Sequence, residues 1–178
     1  MGQPIELIPL VCLKCSLPVP AGPDEVAWVC SQCGQGMFLD DEKGLLPLEV
    51  CYSAAIPPNT PGRPYWFAQG KVSLQRQTYQ GNQDGEAQSF WSQPRSFFVP
   101  AYASSLEDLL AEGTRLLRQP PPLNPGSPAH FAPVILHVDD VQATADFIVM
   151  AIEADRQDKL KEVDFSLELS PPALWILA

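Results

Sequence analysis

The chain has 178 residues, enough for one domain of ordinary size or for a small module joined to a larger one. Its hydrophobic fraction of 46% excludes a wholly disordered chain, although 20 prolines are roughly twice the usual share. The net charge of −10 disfavours nucleic acid and anionic membrane surfaces as general partners, because both are bound through Lys and Arg.

The acidity is uneven: −5 over residues 1–50, +1 over 51–128 and −6 over 129–178. No apolar run approaches the roughly 20 residues of a membrane span, and no basic stretch followed by an apolar one marks a signal peptide. A cytoplasmic location is the expectation that follows.

In chain order, the first feature is a set of cysteines. Cys12-Leu13-Lys14-Cys15 and Cys30-Ser31-Gln32-Cys33 are two C-x2-C pairs separated by 14 residues. Each pair makes a tight turn that points two thiolates at one point, and two such turns complete a tetrahedron. Gly34 can take positive φ and let backbone N–H groups approach the sulfurs. Lys14 places a positive charge beside them. Pro18, Pro20, Gly22 and Pro23 make a turn-rich loop. Residues 26–29 read as a strand into the second pair, and 37–39 as the strand out of it.

On Cys12, Cys15, Cys30, Cys33, Pro18 and Gly34 the segment resembles the zinc-ribbon family. The resemblance covers residues 10–40 and departs from the pattern at Ser16, where many ribbons carry a second glycine. It implies a structural zinc ion on Cys12, Cys15, Cys30 and Cys33. With all four positions filled by cysteine, no place is left for a catalytic water. Two disulfides, a rubredoxin-like iron site and a redox dithiol are the alternatives for the same residues. Cys51 stands alone in a strand-like stretch and reads as a buried structural thiol.

The polar run 40–44 marks the expected boundary between a ribbon over 1–44 and an α+β domain over 45–178. Residues 45–53 read as a strand, and 56–64 as an irregular proline-rich loop. Residues 65–80 alternate with period 2, and 86–99 read as the return strand of an aromatic-rich β-hairpin. Nine of the 16 aromatic residues lie between Tyr65 and Tyr102. They suit a sheet core or, alternatively, an aromatic groove.

Ser104 and Glu107 form a capping box ahead of a helix whose apolar stripe is Leu106, Leu109, Leu110, Gly113 and Leu117. A proline-rich connector spans 119–128. Residues 131–138 read as a strand. A helix capped by Asp139 and Gln142 follows, with Val141, Ala145, Ile148 and Ile152 on one face and Phe147, Ala151 and Ala154 widening it. Asp146, Glu153 and Asp155 lie mostly outside that stripe. Val163, Phe165, Leu167 and Leu169 alternate as a strand, which predicts a C-terminal β-α-β unit. The apolar segment 173–178 packs on the core or docks on a partner.

No phosphate-binding loop, serine-hydrolase elbow or H-E-x-x-H motif is present. The leading expectation is a non-enzymatic adaptor or assembly component that acts through a protein partner. One alternative is a nucleic-acid-associated factor using Arg63, Lys71, Arg76 and Arg95. The other is an enzyme centred on His137 and Asp139 or on the aromatic region.

Overall fold

The computed structural model describes residues 8–178. The first seven residues, which belong to the ribbon span of 1–44 and to the N-terminal stretch of the signal-peptide expectation, lie outside that range. Strands Ala27–Val29 (β1), Gly36–Asp40 (β2) and Gly44–Leu48 (β3) form a small antiparallel sheet in the order β1-β2-β3. The polar run closes the β2–β3 hairpin. Asp40 Oδ1 accepts the N–H groups of Glu42 and Lys43 at 3.0 and 2.7 Å, and Gly44 has φ 78°. The strand predicted over 45–53 is therefore divided. β3 stays in the small sheet, and Val50–Tyr52 (β4) joins a second one.

That second sheet is built on Arg63–Gln80 (β5), an 18-residue strand. After it come Asp84–Trp91 (α1), Arg95–Pro100 (β6), Leu106–Arg118 (α2), a 3-10 turn over Val138–Asp140, Val141–Ala154 (α3), Lys159–Leu169 (β7) and Ala173–Leu177 (β8). The order is β4-β8-β5-β6. β7 and β8 run antiparallel to β5 in succession, β7 along Gly70–Gln80 and β8 along Arg63–Phe67. β6 pairs antiparallel with Tyr65–Gly70. At Gly70, where the β6 and β7 pairings overlap, a Cβ would collide with the Phe97 ring and Leu169. The class is α+β, as expected.

Three expectations about strands need correction. Residues 86–99 are not one return strand, because α1 occupies the first part and only β6 returns. Ala87 and Trp91, four residues apart, are the residues α1 buries. Residues 131–138 form isolated bridges at Phe131 and Val134 instead of a strand. Pro133 has no N–H to give a ladder. The β-α-β unit is consequently absent, since β7 is antiparallel to β5, and the parallel pair is β4 with β8.

The helix caps also shift. α2 begins after Ser105, whose Oγ accepts the Asp108 N–H at 3.1 Å, and Leu106 is 62% exposed. Asp139 lies inside the 3-10 turn, whose cap is His137. Phe147 does not widen the buried face of α3, being 52% exposed, whereas Glu153 is fully buried.

The core answers two questions that the residues alone left open. Trp66, Phe97, Val99, Leu117, Ile148, Leu174 and Ile176 pack together in one cluster, and Tyr65, Phe98, Leu116 and Leu177 in a second. Apart from the exposed Tyr79, the aromatic region thus packs into core clusters. The apolar C-terminal segment is β8, an interior strand between β4 and β5, with Leu174 and Ile176 buried. Burying such a side chain stabilises by about 1.5–3 kcal/mol. Ala27, with Val26, Phe38 and Leu48, packs into the same main core, so the small sheet rests on the larger one. Among the described residues no helix is long and apolar enough to cross a membrane.

Candidate metal centre

The first cysteine knuckle is a miniature hairpin. Val11 bridges Pro18, Val19 N–H donates to Leu10 C=O at 2.9 Å, and Cys12 N–H donates to Leu17 C=O at 2.8 Å. Ser16 N–H then returns to Cys12 C=O at 2.9 Å. The second knuckle repeats this geometry. Cys30 N–H donates to Gln35 C=O, and Gly34 N–H to Cys30 C=O, both at 2.9 Å. Ser16 and Gly34 hold equivalent positions with φ 60° and 74°. The serine therefore adopts the left-handed conformation that glycine takes without steric cost.

These turns bring all four sulfurs together. Cys12 and Cys33 Sγ are 3.5 Å apart and Cys15 and Cys30 Sγ 3.6 Å apart. The four ligand atoms all lie within 4.8 Å of one another. Sulfurs bound tetrahedrally at about 2.3 Å from a metal stand about 3.8 Å apart. The arrangement therefore fits one metal ion. Cys12 and Cys30 are buried, and Val19, Trp28 and Met37 pack around them. Lys14 N–H lies 3.4 Å from Cys12 Sγ and Leu13 N–H 3.5 Å from Met37 Sδ.

The thiols are electrostatically unequal. Backbone N–H groups of Cys15 and Lys14 pull Cys12 down to about 6. Those of Cys33 and Gln32 also lower Cys30. At Cys15 the Leu17 N–H pulls down, but burial and the neighbouring sulfurs outweigh it and push the thiol up to about 12. Cys33 is raised in the same way against the Gln35 N–H. Each knuckle thus holds one thiol that ionises readily and one whose ionisation is opposed by its neighbours, a donor set that a cation completes. Cys51 lies on β4, half-buried, with its thiol raised by burial and by Glu49.

The residues of the two alternative readings are placed elsewhere. His137 Nε2 lies 2.6 Å from Leu39 C=O, and its Nδ1 accepts the Asp139 N–H at 3.2 Å. A neutral ring protonated at Nε2 satisfies both bonds. Asp139 Oδ2 is 3.4 Å from the same Nδ1, but its side chain is 81% exposed and an ion pair there would sacrifice the amide bond. His137 is thus a tether between the body and β2. Arg63 sits 5.7 Å from the Tyr102 ring centroid, and Lys71 is exposed on β5. Arg95 donates to Phe90 C=O at 2.8 Å and lies 4.0 Å over the Phe90 ring.

Arg76 is the centre of a buried ionic network. Its guanidinium makes two 2.8 Å hydrogen bonds to Asp158 and approaches Asp84 at 3.3 Å. Its Nε lies 2.7 Å from Glu153 Oε2, off the line of a hydrogen bond. Glu153 also accepts from Trp91 Nε1 at 2.8 Å and from Arg156 Nε at 3.0 Å. The network joins β5, α1, the end of α3 and the residue before β7. Its signal in the sequence is an arginine on the same strand face as Val72 and Leu74.

The fold and the site together define an α+β protein with a four-cysteine cluster arranged to bind a metal ion. Comparison with protein-family models, with curated proteins and with solved structures returns no match.

Proposed function

We propose that this chain is a zinc-binding, non-enzymatic adaptor or assembly component whose metal-bound knuckles form a rigid platform for a protein partner. The observation that supports the reading is the closed donor set: four sulfurs within 4.8 Å of one another, with every ligand position a cysteine. Such a site holds a fold together and leaves no coordination position for substrate. Zinc on Cys12, Cys15, Cys30 and Cys33 is the proposed occupant, with iron as the alternative. A reducing compartment such as the cytoplasm keeps these thiols free for metal. The burial of Arg76, the engagement of Arg95 with Phe90 and the tethering of His137 draw support away from the nucleic-acid and enzymatic readings.

Native mass spectrometry of the protein purified gently from its own cells tests the proposal. One zinc per chain and a larger assembly containing a second protein are the expected results. Visible thiolate-to-iron absorption in the purified protein replaces zinc by iron. Cys30→Ser should weaken the assembly. A partner retained at full strength by a chain that has lost its metal refutes a contact through the knuckles.

A further inference from the structure

The small sheet joins the body where Ala27 bridges Val134 and Val26 N–H donates to Val134 C=O at 2.8 Å. Beyond this joint the two segments separate, and a cleft of about 390 Å³ opens beside the second knuckle. Val29 and Ser31 line one side, Ala129, His130 and Phe131 another, and Tyr52 also lines it. A second cleft of about 710 Å³, lined in part by the Pro57–Pro61 loop, continues from it and shares residues 128–130.

Two properties of this surface specify what it can hold. The first is charge. The chain carries 21 acidic and 11 basic side chains, yet no Asp, Glu, Lys or Arg lines either cleft. His130 is the one ionisable lining group besides Cys30, a proposed metal ligand, and Tyr52. An anionic or cationic ligand would find no counter-charge here.

The second property is backbone. Cys30 N–H bonds to Gln35, and Val26 C=O accepts from Leu39, so alternate β1 residues face β2 and Val29 turns its N–H and C=O to the opposite edge. On the other segment, Gly62 N–H donates to His130 C=O and Ala132 N–H to Gly62 C=O, at 2.8 and 2.9 Å. Phe131 therefore presents its N–H and C=O away from Gly62. No hydrogen bond among the described residues uses either group. An unpaired backbone edge beside apolar side chains favours the addition of a strand.

We infer that the cleft receives an extended segment of a partner protein, free of charged side chains, which pairs its backbone with Phe131 and Val29 and lays alternate apolar side chains against Tyr52 and the proline loop. The inference rests on the protein-partner reading above and names the surface and the chemistry of the segment bound.

The test pans a displayed library of random 12-residue peptides against the metal-loaded full-length chain. The best binder is then synthesised with N-methyl groups at odd or at even positions. Enriched peptides should lack Asp, Glu, Lys and Arg in their central residues. Binding should slow hydrogen exchange at the Val29 and Phe131 amides. N-methylation of either alternate set should weaken binding about tenfold or more, because one set faces Phe131 and the other Val29. Ala129→Trp, which fills the cleft, should abolish binding while metal content stays unchanged. No enrichment, binding that either methylation pattern leaves unchanged, or protection confined to the exposed Phe147 and Met150 of α3 each overturns the inference. These outcomes leave the partner reading standing, since the native assembly and its response to Cys30→Ser test that separately.

Discussion

Arg76→Met removes a guanidinium on which three carboxylates converge while keeping most of the side-chain bulk. Asp84 is 41% exposed and turns to water. Glu153 keeps Trp91 Nε1 and Arg156 Nε as donors. Asp158, 1% exposed, keeps only the Gln83 N–H at 3.0 Å from among its present partners, so most of the loss falls on it. Breaking a buried pair from one side costs about 3–5 kcal/mol. The donors that remain put this variant near the lower end, about 3 kcal/mol. For a chain of this size that is roughly 6–12 °C in melting temperature.

Urea and thermal unfolding of the metal-saturated protein measure the cost, and pH supplies the check on its origin. Arg76 holds the Asp158 carboxyl below its ordinary value. In the parent protein this contribution is fully present above the unfolded-state pKa of about 3.9 and is lost as pH falls through the lower folded value. In the variant, burial without a counter-charge raises the same carboxyl above its unfolded value. Acidification from pH 7 to 5 should then recover part of the lost stability, and Asp158→Asn in the Arg76→Met background should restore about 2 kcal/mol. A loss below about 1 kcal/mol with an unchanged pH profile refutes the assignment of Arg76 as the clamp.

Three further outcomes are expected. Gly34→Ala adds a Cβ with no atom within 4 Å, so only the left-handed backbone opposes it; it should cost about 1 kcal/mol, while Ser16→Gly should stabilise by about 0.5–1 kcal/mol, both read from denaturant midpoints at constant metal content. Gly113→Ala places a methyl against Ile148 Cδ1. The overpacking should outweigh the gain in helix propensity for a net loss of about 1 kcal/mol, and Ile148→Val, which lacks that carbon, should reverse it in a double-mutant cycle. Removing metal with a chelator should shift the emission of Trp28, which packs on the cysteine cluster, and release exchange protection over residues 10–35. The β5–β8 and β5–β6 pairings should keep theirs.

The cysteine site was legible because its geometry is local. Each C-x2-C pair closes its own turn, and Gly34 announces the conformation that Ser16 also takes. α3 was legible through the spacing of Val141, Ala145, Ile148 and Ile152, and β7 through its alternation. α1 was missed because two buried residues, Ala87 and Trp91, are too little periodicity to outweigh neighbouring strand-like aromatics. The strand expected over 131–138 failed because apolar content does not replace the donor that Pro133 lacks.

The residues alone determined the two cysteine turns and the central apolar stripe of α3, since each depends on neighbours a few positions apart, and they gave the class of the fold through the mixture of such local patterns. Tertiary structure decided the rest. Val50 pairs with Leu174 across more than a hundred residues, and that pairing makes the apolar C-terminal segment an interior strand instead of a free surface. Arg76 meets Asp158 only because β7 pairs along β5, with register shifts at Gln77–Thr78 and Thr78–Gln80. A period-2 pattern says which side chains share a face, but not which strand lies along either edge. That choice is made by long-range packing, and here it placed an arginine in the core and left the Phe131 backbone unpaired among the described residues.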